Sequence, residues 1–557
     1  MKTARPRRRT LLVALSAVIV AGLVAGSFAV LGVPGRSKHQ SARAQAPTRR
    51  PSDSPPSATT VPHDAQQADW VVKENARVGT ADWRISVPAK PGEIEAYAGA
   101  VSAQRDENVA LYVSTTAPKY DVDAFRMGYY QGLWGRRVWH VAGLAGVKQA
   151  RPILTSGVNM IEARWQPSVP VHLDASWPPG DYLFKLTAST GGQRWVPLTV
   201  RDDGSRAPFM LMNAVTNWQA YNTWGGCSLY MCPGSAGASR SAQGGGVVSA
   251  PVGGRAKQVS FDRPYAEGGG AADFLGNEMP LVALMEAFGF NVTYTTGVDL
   301  DRNPQAVLRH AVLLSLGHDE YWSKSMFDGA EAARDQGVNI AFFGANAIYR
   351  QIRLTSSPLG PARRQVNYRS TDDPGRKINP SLTTVSWRES PVNRPEQTLI
   401  GQQYECNPVR ADLVVADASS WVYAGTGLKN GDHVPVTVGT EYDRYDPNVK
   451  GPVNVAVLAH SPVRCHGKSS YADVTYYTVP GGGGVFATGT NWWISKLTPP
   501  GPGNPHEPAV IAMTLNVLRL FGSGPAGREH PSVANWRQLP GFKVNRGATT
   551  STTAAAT

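Results

Sequence analysis

Hydrophobic and polar positions follow two different rhythms along this chain. From Trp70 to about Val200 the apolar residues fall in short strand-like runs, among them Ala110–Ser114, Asp121–Gly128 and Asp181–Thr187. Turns such as Pro178-Pro179-Gly180-Asp181 punctuate them, and Trp195–Val200 closes the set. That texture predicts an antiparallel β-sandwich. From Phe209 the period changes. Short apolar strands (Phe209–Met212, Val292–Tyr294, Val312–Leu316, Ile340–Phe343, Gly484–Ala487) alternate with helical stretches at Pro280–Phe288, Pro304–His310, Ser323–Gln336 and Pro508–Phe521. Strand–helix alternation predicts an α/β region built on a parallel sheet. Between about Thr355 and Val479 the pattern breaks into turns and irregular strands, read as a long insertion or lid over that sheet.

Composition changes this picture mainly at the ends. The 557 residues allow two or three domains with sizeable cores. Of the net charge of +13, ten positive charges belong to Lys and Arg within residues 1–50, which hold no acid. The folded part therefore carries no basic stripe, and nucleic acid is not an expected partner. Leu11 to Val33 is an uncharged, mostly apolar run behind Arg7-Arg8-Arg9, long enough to span a bilayer. It reads as a signal sequence or a membrane anchor, with the chain beyond it outside the cytoplasm. Four Cys in an exported chain point to disulfides, Cys227 with Cys232 and Cys406 with Cys465, rather than to zinc, since neither pair has C-x-x-C spacing.

The chemistry gathers at strand ends. Val312–Leu316 turns at Gly317 and presents His318, Asp319 and Glu320 before Tyr321-Trp322. Other strand ends lead into Asn217–Gly226, Ser260–Tyr265, Gly344-Ala345-Asn346 and Thr488–Trp492. Most are flanked by Gly, all are polar, and one sheet edge would bring them together as a site. Taken singly they have plainer readings: Tyr221 as core packing with a satisfied hydroxyl, Asp262-Arg263-Pro264 as a turn held by a salt bridge.

Together, WQAYNTWGG, SFDRPY, LSLGHDEYW and FFGANAIYR resemble the C-terminal catalytic region of the N,N-dimethylformamidase large (beta) subunit family, over roughly residues 205–525. The resemblance implies a glutamine-amidotransferase-like α/β catalytic domain and one mononuclear Fe(III) per chain, held by Tyr221, Tyr265 and Glu320. His318 and Asn346 match family residues lining the pocket, and Glu441, in Gly439–Arg444, matches a further acidic one. Two phenolates and a carboxylate balance the charge of Fe(III), and three protein ligands leave positions open for chemistry. The implied substrate is a small amide. A small partner subunit or a homo-oligomer is left open.

The expected organisation is a signal sequence or anchor over 1–33, a disordered Pro/Ser/Thr-rich linker over 34–68, an immunoglobulin-like β-sandwich over 69–203, the catalytic domain over 204–523 and a disordered tail over 524–557. The function expected is an exported or membrane-anchored, iron-dependent amidohydrolase. Its rival is a non-catalytic cell-envelope binding protein on a degenerate scaffold. Thiol catalysis is disfavoured, because no G-x-C-x-G-type elbow is present.

Overall fold

In this computed structural model, which describes residues 66–234, 253–498 and 507–544, the strand-like runs after Trp70 fold into two packed sheets. Ile94–Ala98, Asn108–Thr115 and Val169–His172 pair antiparallel in one. Ser102–Gln104, Gln193–Arg201, Gly180–Ala188, Lys119–Met127 and Gly135–Ala145 form the other, in that order. Their alternating inward residues, such as Leu111, Val122, Phe184 and Leu198, build a common core. The segments expected as signal or anchor and most of the linker lie outside the described residues. No helix among the described residues is long and apolar enough to cross a membrane.

The second region is not the wholly parallel, glutamine-amidotransferase-like α/β sheet expected for it, because its central sheet is mixed. The described residues are mostly β, in mixed and antiparallel sheets, with 22% of them helical. Its seven-stranded central sheet runs Val292–Thr296, Phe209–Asn213, Val312–Leu316, Asn339–Phe343, Gly484–Ala487, Lys468–Thr478, Ala456–Cys465. The first five are parallel, and the last two continue it antiparallel. Those two come from the stretch read as an irregular lid. The same stretch supplies the antiparallel ribbon Gln403–Val414 with His433–Arg444. Register shifts interrupt both pairings, and each bulge resets the two-residue alternation, which is why the sequence pattern there looks broken.

Smaller elements buttress the central sheet. A four-stranded sheet, ordered Gln258–Ser260, Gly360–Val366, Arg350–Ser357 and Tyr321–Ser323, stands beside it. The sandwich and the central sheet share a core in which Phe125, Leu183 and Trp195 pack with Phe209, Met279 and Leu281. Residues 524–544, expected to lack structure, instead lie along the antiparallel strands. There Trp536 is buried, and Asn535 bonds both the N–H and the carbonyl of Val457.

Candidate functional site

Parallel strands end on the same edge of a sheet, and the polar residues collect there. Val312–Leu316 is buried along its whole length and stops at Gly317, whose φ is +57°. A Cβ there would stand 2.7 Å from the Asn277 carbonyl oxygen, so the sharp turn requires glycine. At Gly344, after the neighbouring strand, a Cβ would fall 1.7 Å from the Gly317 oxygen. The two strand ends are thus pressed together, with Gly317 N–H donating to the Phe343 carbonyl at 3.2 Å. Ile348 N–H bonds Asp319 O and Arg350 N–H bonds Glu320 O, tying His318–Glu320 to the loop carrying Asn346. Asn346 sits in the left-handed region, φ +58°, a conformation Asn tolerates better than most residues.

Glu320 is the centre of the cluster. Its Oε2 accepts from the Tyr221 hydroxyl at 3.0 Å and the Tyr230 hydroxyl at 2.6 Å. His318 Nε2 lies 3.7 Å from Glu320 Oε2 and 3.1 Å from Glu441 Oε2. Glu441 projects from the strand His433–Arg444, and its Oε1 accepts from Asn407 Nδ2 at 2.7 Å. Asn346 Nδ2 is 3.4 Å from His318 Nε2, and its N–H donates to Asp443 Oδ1 at 2.8 Å. Tyr221, His318, Glu320, Asn346 and Glu441 are therefore brought together from four separate stretches of chain.

Tyr265 is not with them. Its ring meets Trp218 edge-on, with centroids 6.3 Å apart, and its carbonyl accepts from Arg194. After burial, the largest charges acting on its hydroxyl are those of Arg363, Arg263, Glu278 and Glu267. The turn before it is held by Asp262 pairing with Arg363 at 2.7 Å and by buried Arg263 bonding the carbonyls of Asn222, Trp224 and Cys227. The tyrosine that does reach Glu320 is Tyr230, which sequence reasoning missed. The available signal was an aromatic residue bracketed by two cysteines, Cys227-Ser228-Leu229-Tyr230-Met231-Cys232, and that pair does form a disulfide.

Burial and neighbouring charge set the protonation states. Burial pulls the His318 imidazole down, but Glu441, then Glu320 and Asp273, outweigh it and push it up to about 9. Burial acts to raise Glu441, yet His318 and Asn407 hold it below the usual carboxylate range. Burial, then Glu320, drives the Tyr221 and Tyr230 phenols well up. Burial also lifts Asp443, to about 8.

The donor chemistry fits a hard cation. Phenol and carboxylate oxygens converge, a cation among them would reverse the pressure on the phenols, and the acceptor Asn346 Oδ1 is buried without a hydrogen-bond partner. A second group, Cys406, Cys465 and His466, places ligand-type atoms within 4.8 Å of one another. There the two cysteines form a disulfide, so the thiolates a metal would need are absent.

Residues 121–507 match the family described as N,N-dimethylformamidase beta subunit-like, C-terminal, and the chain belongs to that family. No curated protein matches it. Among solved structures, murine CEACAM1b is similar at 12% identity over 19% of this chain and 52% of its own, with a TM-score of 0.12. A Paenibacillus sp. cycloisomaltooligosaccharide glucanotransferase complexed with cycloisomaltoheptaose is similar at 9% identity over 48% of this chain and 29% of its own, with a TM-score of 0.14. The chain thus spans about half of the first and under a third of the second.

Proposed function

We propose that this chain is a metal-dependent hydrolase of a C–N amide bond, exported or held at the membrane by its N-terminal segment. The observation that carries the reading is the convergence of Tyr221, Glu320, His318 and Glu441 on one strand-end edge. Glu320, Tyr221 and a second phenol would hold one ferric ion, which would supply Lewis acidity toward an amide carbonyl and toward water. Glu441 faces His318 and favours its protonated form. His318 stands to give that proton to the leaving amine nitrogen as the C–N bond breaks. Glu441 orients the imidazole, and the Asn346 amide can donate to the oxyanion developing on the carbonyl. The two disulfides suit an oxidising compartment, in keeping with export.

Iron content, visible absorption and amine release from a panel of small amides test the reading in one preparation. The expected result is about one iron per chain, a tyrosinate-to-iron absorption band, and amine release that vanishes in Glu320→Gln. Colourless, metal-free protein from iron-replete cells would sink it and leave a non-catalytic envelope binding protein as the better account.

A further inference from the structure

Tyr230 is held at its ring and at its hydroxyl. Its ring stacks on Tyr221 with centroids 4.3 Å apart, and the Arg369 guanidinium covers its other face at 4.3 Å from the centroid. Its hydroxyl accepts from Tyr321, whose own oxygen is bonded by Arg369. The residue is 37% exposed, so the ring edge meets solvent while the hydroxyl turns inward to Glu320. The loop that carries it is anchored before and behind. Arg263 bonds the Cys227 carbonyl at 2.8 Å, Leu229 is fully buried with its N–H on the Ala220 carbonyl, and Cys232 closes the loop through the disulfide.

The oxygen geometry is specific. Tyr221 Oη, Tyr230 Oη and Glu320 Oε2 form a triangle with edges of 2.7, 2.6 and 3.0 Å. Three oxygens each about 2.0 Å from a small hard cation, at right angles to one another, stand about 2.8 Å apart. We infer that Tyr230, not Tyr265, is the second phenol donor of this site, and that the Cys227–Cys232 loop is the device that delivers it. The inference rests on the metal-hydrolase reading above and deepens it. The metal site is completed only when a local disulfide has formed, so this chain makes cation binding depend on oxidative folding of a six-residue loop. Arg369 acts as a positioning residue, fixing Tyr230 through the ring face and through Tyr321.

The test is ferric-ion titration of the full chain, reading stoichiometry, affinity and the tyrosinate band. Four proteins are compared: wild type, Tyr230→Phe, Tyr265→Phe, and Cys227→Ser combined with Cys232→Ser. Tyr230→Phe removes one oxygen and leaves the ring stack, so its fold is retained. It is expected to bind iron about 10- to 100-fold more weakly with a shifted band, and the double serine variant to fall in the same direction. Tyr265→Phe is expected to match wild type. Wild-type binding by Tyr230→Phe, or loss of iron in Tyr265→Phe, overturns the assignment of the donor. Full-strength binding by the double serine variant overturns the role of the loop. A wild-type chain that takes no iron is a separate outcome and overturns the metal reading together with this inference.

Discussion

Glu286 and Glu320 are almost equally buried, 1% and 2% exposed, and each is surrounded by tyrosines and an arginine. Their surroundings nevertheless differ in kind. Glu286, where the sandwich meets the central sheet, accepts from Arg126 through both oxygens, at 2.5 and 2.9 Å, and from Tyr294 at 2.6 Å and Asn75 at 2.9 Å. The remaining donors of Arg126 reach Tyr130 and the Pro179 carbonyl. Nothing in that pair is left to bind anything else. Around Glu320, by contrast, Arg350 Nε pairs with Oε1 only at 3.6 Å, and both it and Asn346 Oδ1 are buried without a hydrogen-bond partner. A saturated network locks two layers together; an unsaturated one keeps donors and acceptors for a ligand.

The sharpest way to break this contrast is to remove each carboxylate. Glu320→Ala should cost about 10³-fold or more in kcat/KM, the size expected when the charge stabilisation a metal supplies is lost. Its unfolding midpoint in urea should stay near wild type. Glu286→Leu should do the opposite, because it strands the buried Arg126 guanidinium at a cost of about 3–5 kcal/mol. Activity per folded molecule should then be unchanged. If Glu320→Ala unfolds as readily as Glu286→Leu, the strand-end cluster is a second structural clamp and the comparison collapses.

A smaller effect sharpens the picture of the site itself. Burial alone would depress His318, and Glu441 is the largest influence raising it, to about 9. The protonated, proton-donating form should therefore be depleted on the alkaline side of the profile. Glu441→Gln should move that alkaline loss of kcat/KM to lower pH and reduce the plateau about 10- to 100-fold. An alkaline limb that does not move would mean that His318 is not the group being titrated.

How much of this could be read from the chain depends on where each property resides. Val312–Leu316 was legible because a strand buried on both faces is apolar throughout, and the Gly317 turn behind it was marked by its own residue type. His318, Glu320, Asn346 and Glu441 lie close together as their motifs suggested. That Tyr230 rather than Tyr265 bonds Glu320 was not legible, for one reason. Which tyrosine reaches Glu320 depends on Arg263, Leu229 and a disulfide bending six residues back toward the helix Val215–Tyr221, and no periodic pattern encodes that. The fold class failed at the bulged hairpins, where register shifts break the two-residue alternation that marks a strand. Trp536 was lost for a similar cause: a lone aromatic in a polar stretch carries no sign of the surface it will cover.

The mildest prediction returns to the junction, where one carboxyl is not saturated in the manner of Glu286. Burial raises Asp181 from 3.8 to about 7, and the bonds from Asn213 at 3.3 Å and Thr199 at 3.1 Å offset this only partly. A carboxyl whose folded value is raised binds its proton more tightly in the native state. Its contribution to stability is therefore greatest below about 4 and is lost as pH rises toward 7. Between pH 5 and pH 8 wild type should lose about 2.5 kcal/mol through this group alone. Asp181→Asn keeps an oxygen for Asn213 and turns its NH2 toward the Thr199 hydroxyl, which can rotate to accept. The variant should remove that slope, so urea midpoints at the two pH values should differ less in the variant than in wild type. Equal slopes would mean that Asp181 is ionised in the fold, compensated by Arg126, and that the junction is as fully paired at Asp181 as it is at Glu286.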